Sequence, residues 1–268
     1  MIGWNVNLSL KESLMDHIQF NQVVKKRGDF ELNIPSITIQ QGDMLGVIGN
    51  NGAGKTTMMQ MVLGLLTLDS GELRRFHDGE EFHDVGKWKQ DVGFVYDDLL
   101  MYDDMKLSRL GKFLSEQYHS WDDDHYRSML QSYKVDENKK IKSLSRGMKM
   151  KAGFAMAMAH RPRLLMLDEP TAGLDQKSRR QMLRLLKEAN EHGVTVIFSS
   201  HILGDMEELA GSVWLMDEGE VKAHGEVDDL KSRLGKDEEG NVIAKEDGSE
   251  DLVSLEDLHD FYLGGEDV

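Results

Sequence analysis

The segment Gly49-Asn50-Asn51-Gly52-Ala53-Gly54-Lys55-Thr56 has the form G-x-x-x-x-G-K-S/T. Each fixed position in it has a use with phosphate. Glycines let the main chain turn tightly enough to aim successive N–H groups, and the first turn of a following helix, at one anion. Lys55 would reach the β- and γ-phosphates of a nucleotide, Thr56 would place its hydroxyl on Mg²⁺, and Thr57 carries the loop into the helix. The apolar run Met44 to Ile48 enters this loop as a buried strand and Thr57 to Leu66 leaves it as a helix, the context such a loop requires.

A second group of chemical residues follows another apolar run. Leu164-Leu165-Met166-Leu167 ends in Asp168-Glu169-Pro170, the pattern of a buried parallel strand that delivers two carboxylates to the ligand-binding edge of an α/β sheet. In a phosphate-loop protein the first acid belongs beside Mg²⁺, and the second can orient or deprotonate an attacking water. Asp168 is therefore the metal-side acid and Glu169 the general base. Solvated acids ending a strand would look the same on their own; the phosphate loop is what gives them work.

Between the two lies Leu144-Ser145-Arg146-Gly147-Met148-Lys149, ahead of a helix predicted from Met150 to His160. Ser145 reads as an ordinary N-cap, and the free N–H groups of such a helix start also favour an anion.

In this order the chain resembles an ATP-binding-cassette ATPase, the ATP-hydrolysing subunit of ABC transporters. Thr171-Ala172-Gly173-Leu174-Asp175 is similar to the family's D-loop, and His201, after the strand Val194 to Ser199, to its switch histidine. The likeness runs from about Ile18 to Leu230, and the form Leu-Ser-Arg-Gly-Met resembles bacterial exporter ATPases that serve separately encoded ABC-2-type membrane subunits. It implies a phosphate-loop α/β core with an antiparallel β subdomain and a helical subdomain. It also implies a head-to-tail dimer in which each ATP lies between Lys55 of one protomer and Ser145, Arg146 and Gly147 of its partner. Glu169 would act as base and His201 would contact the γ-phosphate. Partners would be a second ATPase subunit and a membrane-spanning subunit, with the chain peripheral on the inner face of the cell membrane. Two other readings remain open: a soluble cassette ATPase with an assembly role, and a weakly hydrolysing ATP-binding subunit paired with an active homologue.

Three positions depart from the family pattern. Asp97 stands where a glutamine that touches Mg²⁺ is usual, and an anionic carboxylate is a different ligand from an amide. In Leu144 to Lys149, which resembles the family's signature segment, Arg146 replaces the usual second glycine, adding a guanidinium that could serve the partner's γ-phosphate or pair with another loop. Arg27 occupies the place of the base-stacking aromatic; a guanidinium can stack on adenine, and Phe30 is the alternative.

The elements that must hold these residues are legible in outline. Alternation over Ile18 to Gln41 predicts antiparallel strands. Helical spacing over Ser108 to Tyr118 and Asp124 to Tyr133 predicts a helical insert, with Asp122-Asp123-Asp124 supplying a cap. Lys177 to Ala189 predicts an amphipathic helix closed by Gly193, and Val213 to Val221 a hairpin across Asp217 to Gly219. Met148, Met150, Met156 and Met158 read as core around the signature helix. The expected organisation is an extension over 1–14, a cassette over 15–234 with a helical subdomain over about 99–159, and an acidic tail over 235–268.

Composition agrees. The chain has 268 residues, no cysteine and a formal net charge of -16, which removes disulfides and thiolate metal sites and argues against a nucleic-acid groove. No stretch approaches the length of a membrane-spanning helix, so membrane contact is expected only through the partner. From Lys236 onward there are twelve acids and two bases, net -10. That tail carries one apolar stripe, Leu252, Leu255, Leu258 and Phe261, at near-helical spacing, and is expected to fold back on the domain as a terminal helix.

Overall fold

The computed structural model describes residues 15–96, 103–236, 242–244 and 253–264. In chain order it forms β1 (Asp16–Arg27), β2 (Phe30–Ile34), β3 (Ile37–Gln40), β4 (Met44–Gly49), α1 (Lys55–Val62), β5 (Ser70–His77), β6 (Glu80–Glu81), α2 (Val85–Gln90) and β7 (Val92–Val95). There follow α3 (Leu107–Ser115), α4 (Asp123–Ser132), a 3₁₀ turn (Ile141–Ser143), α5 (Arg146–Met158), β8 (Leu164–Leu167), α6 (Gln176–Glu191), β9 (Thr195–Ser199) and α7 (Leu203–Leu209). The described chain closes with β10 (Ser212–Asp217), β11 (Glu220–Glu226), α8 (Val227–Ser232), β12 (Leu234–Lys236), β13 (Val242–Ala244) and α9 (Leu255–Leu263). The fold is mixed α/β and of phosphate-loop type.

Two compact units divide these elements. One comprises the residues up to Ile18, Gln40–Asp43 and Arg74–Phe198; the other Gln19–Ile39, Met44–Leu73 and Ser199 onward.

The first unit is built on three parallel strands. β8 lies between β7 and β9, with Leu164 opposite Val92 and Thr195, and Leu167 opposite Val95 and Phe198. Leu164 to Leu167 are fully buried, as a central parallel strand covered on both faces requires. Helix α5 packs on β7 so closely that a Cβ on Gly93 would lie 2.7 Å from the Ala157 carbonyl oxygen. Met150, Met156 and Met158 are buried in this core. Asp122 caps α4 by accepting from the His125 N–H at 2.9 Å.

The second unit carries β1 and β2 as an antiparallel pair and β10 and β11 as another, with β4 running parallel to β10. Glu220 pairs with Asn33, joining β11 to β2. The β10–β11 turn is Glu218-Gly219, both with positive φ (44° and 83°), the backbone that a two-residue hairpin turn prefers. Helix α9 docks here: Leu255 and Leu258 are fully buried, and Ser254 and Asp257 cap it reciprocally. The apolar stripe expected in the tail is shifted. Phe261 is 41% exposed and Leu263 is buried instead, while Leu252 lies outside the described residues.

Candidate functional site

The phosphate loop is shaped by its own backbone. Gly52 and Gly54 hold φ values of 89° and 108°, a region costly for any residue with a Cβ. A Cβ on Gly54 would also sit 2.9 Å from Leu32 Cδ1 and 3.2 Å from Phe30 Cζ. The loop closes on itself through the Ala53 N–H to the Asn50 carbonyl, 3.1 Å. Gly219 ties it to the hairpin, its N–H donating to the Ala53 carbonyl at 3.2 Å while its own carbonyl accepts from Asn33 N–H at 2.6 Å. A Cβ on Gly49 would meet the Met216 carbonyl oxygen at 2.3 Å, so β10 approaches as close as glycine permits.

Lys55 is 6% exposed, and its ammonium donates to the carbonyls of Gly49 at 2.5 Å and Asn50 at 3.3 Å. The charge is thus bent back over the loop, where a bound phosphate would lie. Helix α1 begins at Lys55 without a side-chain cap, leaving its first N–H groups and dipole end to an anion. Asn50, Asn51, Gly52 and Thr56 face solvent, while Ala53 and Thr57 are buried beneath them.

Phe30 reaches this loop and Arg27 is exposed at the other side of the β1–β2 turn, opposite Phe30 in register. Of the two stacking candidates, the aromatic is the one that touches Gly54. The hairpin explains this: the turn at Gly28-Asp29 carries the chain back, so the residue three positions later returns to the loop.

His201 belongs to the same unit. It is exposed, just past β9, and its neighbour Ser200 donates its N–H to the Val47 carbonyl of β4 at 3.2 Å. The histidine therefore leaves the sheet beside the strand that enters the phosphate loop.

In the other unit, Asp168 and Glu169 follow β8 at the C-terminal edge of the parallel strands, both half-buried. The Asp168 N–H donates to the Val95 carbonyl at 3.1 Å, extending the ladder one residue beyond the strand. Glu169 then turns with φ 49°, a left-handed conformation that a glutamate adopts only when its surroundings impose it. Its Oε1 is shielded from solvent. Pro170 follows, and the Ala172 N–H closes the turn on the Glu169 carbonyl at 3.2 Å.

Ser145 caps α5 by accepting from the Met148 N–H at 3.3 Å, so the helix starts four residues earlier than its apolar spacing suggests. Arg146 lies over the D-loop: a Cβ on Gly173 would meet its Nη1 at 2.8 Å. Gly147 faces Ser178, whose Oγ would stand 2.7 Å from a Cβ there. Ser178 is held by Asp175, which accepts from the N–H groups of Lys177 and Ser178 and from the Ser178 hydroxyl at 2.8 Å. Those donors, the Ser178 N–H first, lower the Asp175 pKa below the usual carboxylate range. The signature segment and the D-loop thus form one packed assembly. Asp97 lies outside the described residues.

A glycine-lined phosphate loop opening a helix, with acids delivered by a parallel strand, defines a phosphate-loop nucleotide-binding protein. The comparisons narrow this. The family model described as ABC transporter matches residues 32–172, just over half the chain. The linearmycin resistance ATP-binding protein LnrL of Bacillus subtilis is 34% identical over 209 residues, spanning 75% of this chain and 66% of that protein. The bacitracin transport ATP-binding protein BcrA of Bacillus licheniformis is 33% identical over 238 residues, spanning 84% and 74%. A solved ATP-binding subunit of an ABC transporter superposes with a TM-score of 0.70 at 23% identity, covering 80% of this chain and 92% of its own. The chain belongs to the ABC transporter ATP-binding family, a family of ATPases. Among the described residues no helix is long and apolar enough to cross a membrane.

The sequence pattern did not single out Ser200, Asp205 or the Phe30 contact. A buried acid four residues after His201 carries no periodic signal, and Phe30 was open only as the alternative to Arg27, with nothing local to show that it reaches Gly54.

Proposed function

We propose that this chain is the ATP-binding and ATP-hydrolysing subunit of a bacterial exporter, powering a separately encoded membrane subunit from the inner face of the membrane. The observation that carries the ATPase part is the phosphate loop itself, with Lys55 bent over carbonyls of a loop pinned from two sides. Its similarity to relatives named for linearmycin resistance and bacitracin transport supports export.

In this reading the loop N–H groups, Lys55 and the start of α1 bind the β- and γ-phosphates. Glu169 takes a proton from a water as its oxygen attacks the γ-phosphorus in line, and the bond to the bridging oxygen breaks to leave ADP. His201 donates to the γ-phosphate, and Ser145 and Gly147 of a partner protomer present hydroxyl and backbone N–H groups to the same phosphate. Thr56 and Asp168 offer hard oxygen donors, a hydroxyl and a carboxylate, that suit Mg²⁺ and not a soft metal. Bound there, Mg²⁺ would neutralise charge on the β- and γ-oxygens. Asp97 is assigned to the same ion on its place in the motif order.

The test is hydrolysis by the purified chain as a function of its concentration, with Lys55→Ala as blank. A rate per subunit that rises with concentration and vanishes in the blank supports paired composite sites in a homodimer. ATP binding without turnover at any concentration would assign hydrolysis to a complex with another subunit. Addition of the membrane subunit in lipid vesicles should then raise the rate.

A further inference from the structure

His201 is held between two anchored neighbours. On its N-terminal side, Ser200 is 1% exposed and donates its N–H to the Val47 carbonyl of β4. On its C-terminal side, the Ile202 N–H donates to the Ser200 Oγ at 3.0 Å, folding the chain tightly around the histidine. The same hydroxyl donates to Oδ2 of Asp205 at 3.3 Å. One residue therefore fixes both flanks of His201, its main-chain N–H on the N-terminal side and its hydroxyl on the C-terminal side, and the hydroxyl links the segment to a carboxylate in the first turn of α7.

Asp205 is fully buried. A carboxylate is rarely placed there without function or partners, because its removal from water is costly unless charge or hydrogen bonds compensate. The helix that carries it is itself fixed on the phosphate-loop strand. A Cβ on Gly46 would meet the Met206 sulfur at 2.3 Å and the Ala210 Cβ at 3.1 Å, so α7 rests directly on the β4 backbone three residues before Gly49. Among this stretch His201 is exposed, while Ser200 and Asp205 beneath it are not.

We infer that Ser200 and Asp205 are positioning residues for His201, forming a buried tether that fixes the histidine's approach to the γ-phosphate relative to the phosphate loop. This rests on the reading of His201 given above. The tether acts on the chemical step and not on nucleotide binding, since neither residue reaches the solvent-facing loop. A hydroxyl at position 200 is required because it must accept from one group and donate to another at once; neither alanine nor a larger amide can do both in that space.

The experiment measures single-turnover ATP hydrolysis and ATP affinity for Ser200→Ala, Ser200→Thr, Asp205→Asn and His201→Ala, and for the double variant His201→Ala/Asp205→Asn. Displacing a reacting group by about an ångström can cost roughly a hundredfold in rate, and a partial loss of tether is expected to cost about tenfold. Ser200→Ala and Asp205→Asn should each slow hydrolysis by about that factor with ATP affinity unchanged, and Ser200→Thr, which keeps the hydroxyl, should restore the rate. The double variant should hydrolyse no more slowly than His201→Ala alone. Equal slowing by Asp205→Asn in both backgrounds, a fall in ATP affinity that matches the loss of rate, or failure of threonine to rescue would overturn the tether. A His201→Ala protein as fast as the parent would instead overturn the assignment of His201, which Ser200→Thr rescue could not mimic.

Discussion

The two units solve the problem of holding reactive groups by different means. In the unit that carries the phosphate loop, the groups proposed to bind phosphate are mostly main-chain N–H donors, and their geometry comes from glycines at positive φ and from hairpin contacts such as Gly219 to Ala53. In the unit that carries the acids and the signature segment, the groups proposed to work are mostly side chains. There the backbone takes a left-handed φ at a glutamate, the Arg146 guanidinium lies over Gly173, and the Ser178 hydroxyl, held by its bond to the capping Asp175, lies over Gly147. A loop made of backbone tolerates changes in neighbouring side chains but no added Cβ. A cluster made of side chains tolerates small changes of backbone but depends on each functional group.

The largest effect that would test this contrast is at Glu169. Glu169→Gln should lower hydrolysis by about 10²–10⁴-fold, the usual worth of a general base, while ATP affinity is retained and a nucleotide-bound dimer accumulates in size-exclusion chromatography. A variant that turns over normally would remove Glu169 from the mechanism.

The phosphate loop should respond in the opposite way. Gly54→Ala adds a Cβ 2.9 Å from Leu32 Cδ1 at φ 108°, a strain of about 1–3 kcal/mol. ATP affinity, read by titration with a fluorescent analogue, should fall by roughly tenfold or more, with hydrolysis falling in proportion. An unchanged affinity would show that the loop is less constrained than its backbone suggests.

Acid should weaken the first unit. His17 is buried, and burial, with the charges of His77 and Arg163 adding to it, lowers its pKa from 6.5 to about 4. Its Nδ1 lies 2.8 Å from the Thr195 hydroxyl oxygen, which accepts from the Gly42 N–H, and burial favours the neutral ring in the folded protein. His160, also buried, is lowered to about 4 by burial. Protons therefore bind more readily to the unfolded chain. The stability these residues contribute is complete above pH 6.5 and is lost as pH falls from there to about 4. At pH 5 the loss is on the order of 2 kcal/mol for each histidine, read as a falling midpoint in urea. His17→Gln should flatten part of that fall.

The smallest effect is expected at Arg146. Arg146→Ala removes the group that lies over Gly173 and should lower the rate by severalfold, about 1 kcal/mol, with little change in the unfolding midpoint. A far larger loss of rate, with the midpoint unchanged, would place the guanidinium on the partner's nucleotide and not on its own D-loop.

The sequence showed the elements that have strong local rules. Leu164 to Leu167 reads as a buried strand because four consecutive apolar residues before a proline leave few alternatives. The expected helix after the phosphate loop is shorter than its spacing suggests, ending at Val62, because Gly64 adopts a left-handed φ of 63°. Helix α5 extends further back than its apolar positions, because a cap is a local hydrogen bond and does not need hydrophobic spacing.

By itself, the order of residues determined the form of the phosphate loop, the acids at a strand end and the cap at Ser145, since each depends on residue type and near neighbours in the chain; His201 was singled out only by resemblance to the family. Tertiary structure alone decided which aromatic meets Gly54, where Arg146 rests, and what anchors His201. Those contacts join residues distant in sequence, such as Phe30 with Gly54 and Ser200 with Val47. Such a contact depends on how strands and helices pack, and no local pattern of residues encodes it.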